Sequence, residues 1–241
     1  MSDLNRVVLI TGADRGLGFA LTKDFLNRGD TVFAGQYMEE WQELKELQRQ
    51  FEGKLYLVPL DISDRDSIKN AYKLVAGQTD HVDILVNNAG ISGKFSNIVD
   101  EESVLDGVRV FKTNCMGPLT MVRTFFPLLN KKDALKRLCF VSSEAGSISV
   151  CHREDGFPYT MSKAGLNMTV RLLFEELYQE GFTFRLYHPG WMRTYMQGTK
   201  STMGKIEPEE SSAKAMVFFS EPQKHEDVLR LIDNEGTVWP F

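Results

Sequence analysis

Cysteine is scarce in this sequence: Cys115, Cys139 and Cys151 are the three present, and no two form a CxxC pair. That excludes a disulfide framework and points to free thiols, used as small core residues in a reducing compartment. Long apolar runs are also missing. No uninterrupted stretch approaches the roughly 20 residues that a bilayer-spanning helix needs. The opening segment "MSDLNRVVLITG" lacks the positive flank and apolar centre of a secretory signal, so a soluble, cytoplasmic chain without a membrane partner is expected. Neither sign of charge dominates: 28 Lys and Arg stand against 33 Asp and Glu, a formal charge of −5. This balance gives no electrostatic reason for a nucleic-acid partner. Histidine, cysteine and carboxylate side chains show no metal-ligand spacing, so no metal is expected. Internal repeats and low-complexity tracts are absent, and 241 residues suit one large domain spanning 1–241.

What the chain does have is alternation. Short apolar runs rich in β-branched residues, Val7 to Ile10, Thr31 to Ala34, Leu55 to Leu60, Ile84 to Val86, Leu138 to Val141 and Phe182 to Tyr187, read as buried strands, with Val228 to Ile232 a weaker seventh. Between them Leu17, Ala20, Leu21 and Phe25 fall on one helical face, and Trp41, Leu44, Leu47 and Phe51 repeat that spacing. Strand–helix alternation with right-handed crossovers predicts an α/β, Rossmann-like doubly wound parallel sheet of about seven strands with helices on both faces. Ligands of such sheets bind beyond the carboxyl ends of the strands.

The first strand exit reads "TGADRGLG". Gly12, Gly16 and Gly18 permit a tight turn and close approach of backbone N–H groups to a phosphate, at the positive end of a helix starting near Leu17. Asp14 and Arg15 lie inside the same turn. The second exit, "FAGQYME", offers no carboxylate at Gly35, Gln36 or Tyr37 to hold a ribose 2′-hydroxyl, although Glu39 or Glu40 could swing in. Arg15 can pair with a 2′-phosphate or simply be solvated; NADP(H) is favoured, with NAD(H) as the other possibility. At the third exit Asp61, followed by Ile62, suits either a helix cap, a job open to Ser63 too, or a hydrogen bond to an adenine amino group. The fourth exit, "LVNNAG", sets Asn88, Ala89 and Gly90 where side-chain amides can tie strands together and small residues leave room for a ribose.

The stretch "YTMSK" places Tyr159 and Lys163 four residues apart, on one face of a helix. A cation near a phenol stabilises the phenolate and lowers its pKa, so this pair is expected to bring the tyrosine toward neutral pH. At the fifth exit, "FVSSEAG", a serine hydroxyl can hold a carbonyl or alcohol oxygen beside the phenol, and strand alternation lets only one of Ser142 and Ser143 reach it.

Taken in order, "TGADRGLG", "NNAG", Asn114 in "KTNCMG", "VSSEAG", "YTMSK" and "HPGWMRT" closely resemble the short-chain dehydrogenase/reductase family, from Val7 to about Thr194. The resemblance implies that Tyr159 is the acid/base, that Ser143 orients the reacting oxygen, and that Lys163 binds the nicotinamide ribose. It also implies that Asn114 supports a water-linked relay. The glycine turn with Leu17, then Gln36, Asp61 and Ile62, Asn88 to Gly90, and Pro189, Gly190, Met192 and Thr194 would line the cofactor. A small-molecule carbonyl or alcohol is the implied substrate, and a homodimer or homotetramer the implied assembly. "HPGWMRT" is similar to the carbonyl reductases of the family. Two departures stand out: "CHREDGFP" lengthens the segment between Ser143 and Tyr159, and Glu144 puts a carboxylate, expected to face solvent, next to the serine. The competing reading is a nucleotide-binding regulator or scaffold that keeps the fold without turnover.

Overall fold

The computed structural model describes residues 5–95, 99, 101–132, 135–196, 198–222 and 227–241, with the side chains of 101–104 outside that description. Its strands are β1 Val7–Ile10, β2 Thr31–Gln36, β3 Leu55–Pro59, β4 Ile84–Asn87, β5 Arg137–Val141, β6 Thr183–His188, β7 Leu231–Asp233 and β8 Val238–Trp239. They form one sheet in the order β3-β2-β1-β4-β5-β6-β7-β8. Every pairing is parallel except the last, where β8 runs antiparallel to β7. The sequence predicts about seven strands. The eighth is a two-residue return after a turn, too short to leave a periodic signal.

The helices are α1 Gly16–Asn27, α2 Glu43–Gln50, α3 Arg65–Ala76, α4 Glu101–Phe111, α5 Gly117–Leu129, α6 Phe157–Leu177 and α7 Pro208–Phe219. Successive strand residues face opposite sides, and the core divides accordingly. Leu9, Phe33, Leu85, Leu138 and Leu186 pack with α3, α5 and α6, while Val8, Ile10, Val32, Val86 and Val141 pack with α1, α2 and α7. Both faces of the strands are therefore apolar, which is why they read as continuous runs. Two helix readings are corrected. Trp41 and Phe51 lie outside α2, whose buried residues are Leu44 and Leu47. The side chain that caps α3 is Asp64, which accepts from the Asp66 N–H, rather than Asp61 or Ser63.

Between β1 and β4 the chain order reverses direction across the sheet, which opens a crevice at their carboxyl ends. Between α4 and α5, residues Lys112–Met116 form a π-helical turn. Such turns are inserted residues and concentrate at functional sites.

Candidate active site

The glycine turn after β1 is shaped by sterics that leave no room for a side chain at Gly12 or Gly18. Gly12 has φ +64°, and a Cβ there would lie 2.9 Å from the Ala89 Cα; at Gly18 it would lie 2.0 Å from the Gly12 carbonyl oxygen. Asn88 holds the turn against β4: its Nδ2 donates to Thr11 O at 2.9 Å and to Gly12 O at 3.0 Å. Thr11, which sequence reasoning passes over, accepts from the N–H groups of Asn88 and Ala89 through Oγ1. Helix α1 then starts with no side-chain cap and no acidic residue in its first turn. Its leading N–H groups and positive dipole end are open to a phosphate. Leu17 contributes only backbone there, because its side chain belongs to the core.

The carboxylate-free exit expected at β2 is not what the structure has. Asp14 turns toward it from the glycine turn and accepts from the N–H groups of Tyr37, at 2.9 Å, and Met38, at 3.1 Å. Burial raises the Asp14 pKa, and these backbone donors pull against that rise. With its oxygens engaged in the loop, Asp14 shapes the exit. Gln36 is buried and donates to Met38 O.

Arg15 is held by two aromatic rings that no motif announces. Its guanidinium carbon lies 5.2 Å from the centre of the Trp41 ring and 5.8 Å from that of Tyr195. The two rings meet edge-on at 4.9 Å. Trp41 follows β2 and Tyr195 follows β6, so the contact spans the crevice; the sequence spacing, which sets Trp41 on one face with Leu44 and Leu47, gives no sign of it. Thr194 stands on the same side, 3.7 Å from a Cβ built on Gly16. At the third exit Asp61 Oδ1 accepts from Ser63 N–H at 2.8 Å, and Ile62 is buried against Gly117.

Across the crevice the side chains converge. Lys163 is buried on α6, and its Nζ donates to Val141 O at 2.9 Å and lies 5.6 Å from the centre of the Tyr159 ring. A Cβ at Gly90 would come within 3.8 Å of that Nζ and 3.2 Å of Asn114 Oδ1. Asn114, in the π-helical turn, accepts from Ile91 N–H and donates to Ile91 O and Ser162 Oγ, all within 2.9 Å. The two serines diverge. Ser142 Oγ donates to Asn167 Oδ1 at 2.6 Å inside the core, whereas Ser143 lies against Tyr159.

The pKa expectation for the pair is reversed. The hydroxyl end of Tyr159 is enclosed although the residue as a whole is half-buried, and burial pushes its pKa up to about 12; the Ser143 hydroxyl pulls down while Glu144 pushes further up. Burial also lowers Lys163 to about 8. Desolvation of both groups outweighs the attraction between lysine and phenolate that the spacing suggests.

Glu144 is half-buried, with both carboxylate oxygens engaged by the protein. Its Oε2 accepts from Ser143 Oγ at 2.5 Å, its Oε1 pairs with Arg153 of the lengthened loop, and His188 Nε2 lies 3.5 Å from Oε2. His188 has a buried Nδ1 without a partner, and burial lowers its pKa. His81 pairs with Asp80, and His225 lies outside the described residues. After β6, Pro189 O accepts from Ser211 Oγ, Gly190 adopts φ +81°, and Met192 bridges to Ile206. The strap from Trp191 to Ile206 thus closes on itself beside the crevice.

The family model for short chain dehydrogenases matches residues 6–205. An uncharacterized oxidoreductase of Schizosaccharomyces pombe is 32% identical over 97% of this chain and 92% of its own length. The C-signal protein of Myxococcus xanthus is 36% identical over 68% of this chain and 95% of its own. Among solved structures, the NADPH-bound carbonyl reductase from chicken fatty liver superposes with a TM-score of 0.88 at 30% identity, covering 98% of this chain and 99% of that one. A Pseudomonas aeruginosa carbonyl reductase in complex with NADP gives 0.82 at 27% identity, with 98% and 99% covered. The chain is a member of the short chain dehydrogenase family.

Proposed function

We propose that this protein is an NADP(H)-dependent reductase of small or medium ketones or aldehydes, with Tyr159 as the proton donor. The observation that carries the reading is convergence: Ser143, Tyr159 and Lys163 meet at the crevice whose far wall is the uncapped start of α1. The open glycine turn fits a dinucleotide pyrophosphate, and Arg15 supplies a planar fork of donors for a 2′-phosphate. Gly12, Gly16 and Gly18 carry no Cβ that would fill the cradle, and Asn88, Ala89 and Gly90 border the ribose position with Lys163. The nicotinamide, when bound, supplies the hydride.

The protein's own groups orient and protonate. With its pKa near 12, Tyr159 keeps its proton at neutral pH, the state needed to donate to a carbonyl oxygen. Lys163, near 8, bonds Val141 O and borders Gly90, where it holds a ribose hydroxyl and favours the phenolate left behind. Ser143 sits beside the phenol and fixes the reacting oxygen. Donors set in place around a developing oxyanion contribute about 2.7–4 kcal/mol each. Phe95, whose ring centre is 6.5 Å from that of Tyr159, joins Ile91 and Met196 along a cavity of about 490 Å³ for the rest of the substrate. Exposed Leu105, Val108, Met168 and Leu172 on α4 and α6 support assembly into a dimer or tetramer.

A panel of carbonyls and alcohols assayed with NADPH and with NADH tests the reading. Reduction of at least one ketone or aldehyde, faster with NADPH, is expected. Tight NADPH binding without turnover across the panel would instead identify a regulator that uses the fold as a nucleotide sensor.

A further inference from the structure

Glu144 stands one hydroxyl away from the reacting position. Its Oε2 accepts a hydrogen bond from the Ser143 hydroxyl at 2.5 Å, and its side chain keeps 27% of its surface exposed. Burial alone would raise its pKa, but the Ser143 hydroxyl, His188 and Arg153 outweigh burial and hold it below the ordinary carboxylate range. A carboxylate offers about four lone-pair directions. Ser143, Arg153 and the longer contact from His188 engage three of them.

Ser143 has one hydroxyl proton, which the structure directs to Glu144 Oε2. To donate to a carbonyl oxygen it must leave that carboxylate oxygen, which a plain ketone would then cover without giving it a donor, and a polar group covered without a partner costs free energy. Two oxygens on adjacent carbons lie within hydrogen-bond reach of each other when gauche. If Ser143 holds the carbonyl oxygen, a hydroxyl on the next carbon therefore falls within reach of the carboxylate that Ser143 itself touches. Arg153 already balances the charge of Glu144, so the site calls for a neutral donor rather than a cation. The apolar side of the cavity, at Ile91, Phe95 and Met196, takes the opposite substituent.

We infer that Glu144, braced by Arg153, is a specificity-determining residue that selects carbonyl substrates bearing a hydroxyl on the adjacent carbon. The inference rests on the reductase reading and names its substrate class: α-hydroxy ketones and aldehydes, reduced to vicinal diols by hydride addition at carbon and proton transfer to oxygen. It also gives a use to the lengthened "CHREDGFP" segment, which delivers Arg153 to the carboxylate.

Hydroxyacetone and butan-2-one are matched in shape and differ by a hydroxyl against a methyl. With NADPH, the wild-type enzyme should favour hydroxyacetone in kcat/KM by about ten- to hundred-fold, the worth of a hydrogen bond to a charged acceptor. In Glu144→Leu this preference, read as the ratio of the two kcat/KM values, should fall at least about tenfold, chiefly through the KM for hydroxyacetone. Glu144→Gln, which keeps an accepting oxygen without the charge, should lie between. It also carries the test if the leucine protein fails to fold. Equal preference in wild type and variants, or parallel loss on both ketones as a purely structural role would give, overturns the inference and leaves the reductase reading standing. A wild-type protein that binds NADPH but reduces neither ketone overturns the inference, and silence across the whole carbonyl panel overturns the reductase reading as well.

Discussion

On the β1–β3 side of the crevice the chain works mainly through its backbone: a glycine turn with no space for a Cβ at Gly12 or Gly18, an uncapped helix start, and an aspartate engaged by two N–H groups of the next loop. On the β4–β6 side it works through side chains, with a serine, a tyrosine, a lysine and an asparagine brought together from β5, α6 and the π-helical turn. An anion can be held by any backbone that points N–H groups the right way, whereas proton transfer needs particular groups at particular places. Damage on the first side should therefore appear as lost cofactor affinity, and damage on the second as lost turnover with affinity retained.

The largest effect expected from probing this contrast comes from Gly18→Ala. Its Cβ would meet the Gly12 carbonyl at 2.0 Å and Asn88 Nδ2 at 2.6 Å, so the turn must shift. NADPH affinity, followed by nucleotide fluorescence, should fall about a hundredfold or more, with about 1–3 kcal/mol lost from stability by overpacking. Unchanged affinity would show that the turn is not the phosphate cradle. Arg15→Ala comes next. It should weaken NADPH by about ten- to hundred-fold while NADH changes little, as loss of a charge-assisted contact to one phosphate requires. Trp41→Ala should have a smaller effect of the same kind, a few-fold on NADPH, because a cation over a half-buried ring near the surface contributes only about 0.5–1 kcal/mol to holding Arg15 in place.

The smallest effect is a pH dependence on the side-chain half. Lys163 has a folded pKa near 8 against an ordinary 10.5, so above pH 8 the unfolded chain binds the extra proton and stability rises with pH until the ordinary value is passed. Tyr159 acts in the opposite sense: its pKa near 12 exceeds the ordinary 10, so its contribution falls as pH climbs beyond 10. Melting temperatures of wild type and Lys163→Met should therefore converge or cross between pH 8 and 10, with the wild type gaining on the variant. A constant difference across that window would remove the buried, depressed lysine from the account.

The same contrast separates what is legible in the amino-acid sequence from what is not. The strands are legible because both of their faces are buried, so Val7–Ile10 and Arg137–Val141 are nearly uninterrupted apolar runs. Ser143, Tyr159 and Lys163 are legible because each sits in a short motif at a strand exit or on one helix face. What stays hidden is made by contacts between residues distant in sequence. Nothing near Asp14 indicates that it will bind the loop after β2, and nothing near Arg15 indicates the rings of Trp41 and Tyr195. The Tyr159 pKa escapes the sequence for a related reason: spacing along a helix gives the distance to a charge, but desolvation depends on the whole fold around it. Glu144 reads as solvated because its partners, Arg153 and His188, arrive from a loop and from β6.

The central claim is that Tyr159 gives its proton to a substrate oxygen at a site that binds the nucleotide independently. Tyr159→Phe, assayed for NADPH binding by fluorescence and for carbonyl reduction by the absorbance of the reduced nicotinamide, tests it in one preparation. The account predicts NADPH affinity within a few-fold of wild type and kcat lower by about a hundredfold to ten-thousandfold. Reduction at close to the wild-type rate in the phenylalanine protein would contradict it.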